Sequence, residues 1–167
     1  ILDTLEVLES PAYDCNEQVI SSFFPNLQAY LVLQSFGIEA LDLQARLETS
    51  LKEGVETLVA RQNEDGGWGW WPGQQTDQTI TAYVLLGLSS AQKAGIEVPD
   101  QVLQDAVVTL YASTISPNMG TKPWQLNQLA FVNFALSKAD NGDDRLATQL
   151  YEVRDQLSPW AQALLAV

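Results

Sequence analysis

Residues 79–88 read Thr-Ile-Thr-Ala-Tyr-Val-Leu-Leu-Gly-Leu, a run with no charged side chain. Between Thr76 or Asp77, either of which can cap a helix, and a closing turn at Gly95, the segment carries Ile80, Tyr83, Val84, Leu85, Leu86 and Leu88, with Ala82, Gly87 and Ala91 between them. A helix apolar nearly all round has no side to turn towards water, so it belongs in an interior layer. The preceding segment is different. From about Asp42 to Gln62, Leu43, Leu47, Leu51, Val55, Leu58 and Val59 form one stripe opposite Gln44, Glu48, Lys52 and Glu56. That pattern is an amphipathic helix with a single buried side.

The same alternation continues outward. Pro25 to Phe36 has helical spacing, with Pro25 suited to a first turn and Gly37 to an end. Pro99-Asp100 opens a helix to about Ala112, and Pro123 opens another from Trp124 to Ala139. A sixth covers roughly Asp143 to Gln156, and Ser158-Pro159-Trp160 begins a seventh that is still apolar at Val167. No stretch of period-two alternation exceeds chance, so the class is all-α. Amphipathic helices paired with apolar ones suit two concentric layers, the architecture of an α/α toroid. About seven helices are too few to close such a ring. Residues 1–167 are therefore expected to be a single partial domain, the N-terminal part of a toroid.

Composition narrows the function classes. At 167 residues with 46% hydrophobic content the chain can build a core. A net charge of −13, from 21 acidic against 8 basic residues, leaves no basic cluster to neutralise phosphates, which argues against nucleic acid as a partner. No apolar run approaches the roughly 20 residues that span a bilayer. Histidine is absent, which excludes Ser/His/Asp and Cys/His nucleophile pairs. One thiol, no imidazole and scattered carboxylates offer no zinc site, so neither metal nor cofactor is expected.

The lone cysteine, read in isolation, is a small hydrophobe beside an apolar segment. Its neighbours point elsewhere. Pro11-Ala12-Tyr13-Asp14-Cys15-Asn16-Glu17-Gln18 resembles the thioester signature Cys-Gly-Glu-Gln of the alpha-2-macroglobulin and complement family, usually preceded by a proline. Pro25 falls where that family has a proline leading into its first long helix. The loop Gln62 to Trp71 and the start Thr79-Ile80-Thr81-Ala82-Tyr83-Val84 are also similar to segments of the family's thioester domain, above all in bacterial members. Three matched segments in order extend the likeness over most of the chain.

The resemblance implies that Cys15 and Gln18 form an internal thioester, the sulfur displacing ammonia from the glutamine carboxamide. Three residues of separation let one tight turn bring the two side chains together. Asp14 and Asn16 stand where the family has glycines, and Asn and Asp are the non-glycine residues that best tolerate left-handed φ. Glu17 is expected to orient the glutamine amide or, alternatively, simply to favour a helix N-terminus. A thioester survives only where water is excluded, so Tyr13, Phe23, Phe24, Trp68, Trp70 and Trp71 are candidates for an apolar cover.

By the same resemblance the chain is no enzyme. The resemblance implies a single-use acyl donor in a protease-trapping or surface-tagging protein. Its partners are a protease or target-surface amines, captured covalently, together with the other domains of its parent. The family works outside the cytoplasm, in the periplasm, at the cell surface or secreted. Bare inner helices of an incomplete toroid favour self-association of the segment. Two other readings stay open at this stage. Gln62-Asn63-Glu64-Asp65-Gly66-Gly67-Trp68 also resembles the Gln-and-Trp repeat of triterpene cyclases, whose α/α toroid the prenyltransferases share; a helical scaffold with a decayed thioester is the other.

Overall fold

Most helix starts are fixed by side chains that satisfy otherwise orphaned backbone donors. In the computed structural model, which describes residues 15–37, 40–118 and 120–166, the described residues form seven α-helices and no strand. They are α1 (Asn16–Phe36), α2 (Leu41–Ala60), α3 (Gln78–Lys93), α4 (Asp100–Ser113), α5 (Pro123–Lys138), α6 (Asp144–Glu152) and α7 (Pro159–Leu165). Asp77 caps α3 by accepting from the N–H groups of Thr79 and Ile80 at 2.8 and 3.0 Å. Asp143 does the same for α6, and Ser158 Oγ accepts from Ala161 N–H at the start of α7.

Two boundaries depart from the sequence reading. Helix α1 begins at Asn16 and runs through Pro25, which sits inside it instead of in its first turn. An interior proline forfeits one backbone bond and crowds the carbonyl four residues earlier. The helix continues because Val19, Ile20, Phe23, Leu27 and Tyr30 are buried along one side of it, before and after the proline. Packing outweighs the local penalty. Helix α6 ends at Glu152, and a 3-10 turn at Arg154–Gln156 takes up the rest of the expected span.

The layers follow from which helices touch. Helix α1 packs on α3, α3 on α5 and α5 on α7, so the odd-numbered helices stand side by side. The even-numbered helices lean on them: α2 on α1 and α3, α4 on α3, α6 on α5 and α7. This is an arc of an α/α toroid. Helix α3 buries nine of its residues, from Ile80 to Ala91, whereas α2 buries only Leu47, Leu51, Val55 and Leu58. That contrast is the one the hydrophobic patterns predict.

Gly87 lets the Ile20 side chain of α1 lie directly against α3. A Cβ on Gly87 would lie 2.3 Å from Ile20 Cδ1. One aromatic ring from each odd-numbered helix also joins a continuous line: Phe24 stacks on Tyr83 at 5.1 Å, Tyr83 meets Phe131 at 6.3 Å, and Phe131 meets Trp160 at 5.9 Å. Most buried residues form one core spanning α1 to α5; a second cluster around Leu126, Leu129, Leu146, Leu150 and Ala161 joins α5 to α6 and α7.

The Asp77 cap makes a simple prediction. Asp77→Ala should lower stability by about 1 kcal/mol, and Asp77→Asn by much less, because asparagine caps as well as aspartate. Urea unfolding midpoints of the three proteins check it.

Candidate functional site

Cys15 is the N-cap residue of α1. Its backbone is extended, at φ −88° and ψ 154°, its carbonyl accepts from Val19 N–H at 3.2 Å, and its Sγ accepts from Gln18 N–H at 3.4 Å. Gln18 is therefore the third helical residue. In a capping box the N-cap side chain turns in towards the third residue's N–H while the third side chain reaches back. Cys-x-x-Gln has that spacing. The structure thus brings the two ends of the motif to one helix mouth, with Cys15 and Gln18 both half-buried and the thiol free.

The two residues between them have separate work. Glu17 accepts from Ser21 Oγ at 2.6 Å, a bond along the helix. Asn16 is helical, so the left-handed conformation expected for it is not used; among the described residues Asp140 is the one non-glycine with positive φ. Helical geometry at this position leaves room for a side chain, and Asn16 is fully buried. Its backbone N–H donates to the Trp70 carbonyl at 2.9 Å and its Nδ2 to the Gly69 carbonyl at 2.9 Å. Tyr13 and Asp14 lie outside the described residues.

Those two carbonyls belong to the aromatic loop, whose shape is set by a dense set of bonds. Gln62 Nε2 donates to the carbonyls of Gly66 and Val102 at 2.8 and 2.9 Å. Asn63 Nδ2 reaches Gln74 O and Thr76 Oγ1, and Asp65 Oδ1 accepts from Gly67 N–H and Thr76 Oγ1. Trp68 is a core residue: it is 0% exposed, its Nε1–H donates to the Leu58 carbonyl at 2.7 Å, and its backbone N–H donates to Thr81 Oγ1 at 3.0 Å. Trp70 and Trp71 are about half-exposed, at 49% and 45%. Of the three tryptophans expected as a cover, Trp68 is thus an anchor, and only its two neighbours project from the loop.

Asn16 is the site residue whose part sequence reasoning missed. Its contacts lie 53 and 54 positions away, at Gly69 and Trp70, and no local pattern announces them. Among the described residues, no group of three or more His, Cys, Asp or Glu side chains is arranged to hold a metal.

The fold is an arc of α/α toroid, and α1, the first described helix, is capped by a cysteine with glutamine at its third position, which defines the class as a two-layered helical domain. The A-macroglobulin TED domain model matches residues 2–116, and the chain belongs to that family. Among curated relatives, alpha-2-macroglobulin of Thermotoga maritima is 38% identical over 105 residues, covering 63% of this chain and 6% of that protein. Alpha-2-macroglobulin of Rickettsia conorii is 29% identical over 107 residues, with the same coverage. The chain thus spans about 6% of the length of these relatives.

Among solved structures, Salmonella alpha-2-macroglobulin reacted with methylamine superposes with a TM-score of 0.77 at 22% identity, over 98% of this chain and 11% of that one. Native Escherichia coli alpha-2-macroglobulin from domain MG7 to the C-terminus gives 0.76 at 21%, over 98% of this chain and 27% of that one. These superpositions show the shared fold, and they carry it across α5–α7, beyond the residues that the family model matches. The family decides against the cyclase reading. Gln62 and Trp68, which suggested it, serve as loop braces here.

The loop corner tests this account of its shape. Gly66 has φ +86°, and a Cβ there would lie 2.6 Å from the Asp105 carbonyl oxygen. Gly66→Ala combines a left-handed backbone with a clash against main chain, and should cost roughly 2–4 kcal/mol. Thermal and urea unfolding measure it; a loss under about 0.5 kcal/mol, the range of an ordinary surface change, would mean the corner relaxes freely.

Proposed function

We propose that this chain is the acyl-donor segment of a protease-trapping macroglobulin, with Cys15 and Gln18 as the two halves of an internal thioester. The observation that carries this is the cap geometry: a cysteine at the N-cap and a glutamine three residues on, at the mouth of α1, in a chain of the TED family. Formation joins Cys15 Sγ to the Gln18 carboxamide carbon and releases ammonia. Capture reverses the bond's cost: a nucleophile takes the acyl carbon, the Cys15 thiol leaves, and Gln18 ends as an amide of the attacker. The donor is used once, so the segment is no turnover catalyst.

Several features support the rest of the reading. Trp70 and Trp71 are half-exposed on a loop whose main chain is bonded to Asn16, the residue after Cys15, which supports them as the cover of the pair, with Tyr13 as a further candidate. The long relatives support other domains of a parent protein as the segment's partners, and the bacterial membership supports a site of action outside the cytoplasm. Trp124, Tyr151 and Trp160, exposed on α5, α6 and α7, favour self-association of the isolated segment.

The test of the thioester uses the full-length parent. Before treatment Cys15 should resist thiol reagents, and methylamine should free the thiol and leave Gln18 as its methylamide. Peptide mapping that finds a free Cys15 beside unmodified Gln18 would overturn the proposal.

The nucleophile class follows from the chain's lack of histidine. In complement members that prefer hydroxyls, a histidine of the same domain attacks first and hands the acyl group on. The corresponding stretch here, about Ser113 to Gln125, offers Asn118 and Lys122 and no imidazole. An alcohol must then attack unaided, while the unprotonated fraction of a lysine amine is the stronger nucleophile. Activated parent protein should couple to labelled amine well ahead of labelled glycerol, at a rate that rises with pH as amines lose their proton. Dominant ester formation would show that another base completes the site.

A further inference from the structure

Three polar atoms of the buried Asn16 each reach a different residue far along the chain. The backbone N–H and Nδ2 take two successive loop carbonyls, those of Trp70 and Gly69, and Oδ1 accepts from the Arg61 guanidinium at 3.5 Å. Arg61 is the residue that ends α2. One side chain thus ties together the start of α1, the end of α2 and the aromatic loop. A buried amide is tolerated only when its hydrogen bonds are made, and among the described residues no buried side-chain nitrogen or oxygen lacks a partner.

The loop is held firmly on one side of this contact. Trp68 is fixed through Leu58 and Thr81, and at Gly69 the chain doubles back so closely that a Cβ would lie 2.6 Å from the Gln75 carbonyl oxygen. Beyond that point Trp70 and Trp71 project towards solvent, and the bonds from Asn16 join their stretch of loop to the residue beside Cys15. A helix start needs no such side chain. Any residue can occupy the first helical position, and the family signature has glycine there, which could make only the main-chain bond.

We infer that Asn16 is a positioning residue: its amide latches the Trp70–Trp71 loop onto the Cys15–Gln18 pair, restraining Cys15 and keeping water from the pair. The consequence for water rests on the thioester reading, while the restraint on Cys15 does not. Losing the Nδ2 bond leaves the main-chain bond to the Trp70 carbonyl as the tie from Asn16 to the loop, and so loosens the loop beside Cys15. Asn16→Ala removes the whole amide. Asn16→Asp keeps its size and the acceptor for Arg61 but replaces the donor to Gly69 with an acceptor, so the latch itself is what changes.

The experiment uses full-length parent protein carrying Asn16→Ala, Asn16→Asp or, as a control, Leu150→Ala, which opens a cavity in the separate cluster of α5, α6 and α7. Intact mass and thiol titration first establish whether the wild type holds a thioester. If it does, spontaneous appearance of the Cys15 thiol in amine-free buffer should quicken about tenfold in both Asn16 variants, at temperatures where circular dichroism shows them folded. Leu150→Ala should lower the melting midpoint and leave that rate unchanged. Unchanged rates in the Asn16 variants, or an equal acceleration by Leu150→Ala, would overturn the latch. A free thiol beside unmodified Gln18 in the wild type sinks the thioester reading instead. The latch is then read from alkylation of Cys15 by iodoacetamide, where the same rough tenfold increase is expected and an unchanged rate refutes it. That assay also decides for a variant that never forms the bond. If Asn16→Ala does not fold, the isosteric Asn16→Asp carries the test.

Discussion

Helix α3 has no face fit for water, and the rest of the arc is arranged to cover it. Ile80, Ala82, Val84, Leu85, Leu88 and Ala91 are all buried, and they point in several directions around the helix. Helices α1, α2, α4 and α5 each lie against α3, and α7 and α6 follow by packing on α5. Each apolar side chain of leucine size contributes about 1.5–3 kcal/mol when fully buried, so exposing one side of α3 would cost more than most domains can spare. The two-layer form is the consequence. Apolar helices stand inside, and amphipathic ones close the outside.

The burial of α3 also fixes the loop that precedes it. Thr81, buried within the helix, holds the backbone of Trp68 through its hydroxyl, and Asp77 N–H donates to the Trp68 carbonyl at 2.9 Å while its carboxylate caps α3. The indole of Trp68 fills the core between α2 and α3 and bonds to Leu58. Gln62 and Asn63 then fold the intervening turn against Val102 and Thr76. Geometry thus passes from the apolar core to the loop and from the loop to the first residue of α1. A half-buried helix mouth takes its position from a helix in the interior.

Much of this was legible in sequence because it is local. The uniform hydrophobicity of α3, the single stripe of α2, the capping residues Asp77, Asp143 and Ser158, and the prolines opening α5 and α7 each act within one or two turns. Cys15 and Gln18 were singled out by their resemblance to a family motif, and the helix start that holds them was not read. What could not be read depends on distant partners. Pro25 has the form of a helix beginning, and only the burial of Ile20 and Phe23 ahead of it keeps α1 continuous from Asn16. Trp68, Trp70 and Trp71 are alike in composition and close in sequence, yet one is core and two are half-exposed. The role of Asn16 depends on carbonyls more than fifty positions away.

The start of α1 is capped by a residue that few helices use there. Serine, threonine, aspartate or asparagine would cap this helix well, whereas a cysteine sulfur is a weak acceptor, and the 3.4 Å contact to Gln18 N–H is correspondingly long. A thiol at the N-cap therefore surrenders part of the roughly 1 kcal/mol that a good cap supplies. Two features offset that loss. Val19 and Ile20, the fourth and fifth helical residues, are buried against the core, and the Asn16 N–H, one of the four donors an isolated helix start leaves unpaired, is satisfied by the Trp70 carbonyl. The helix mouth is thus held by its neighbours more than by its own cap. Cys15 can then stand at a position where most helices place a stronger capping residue.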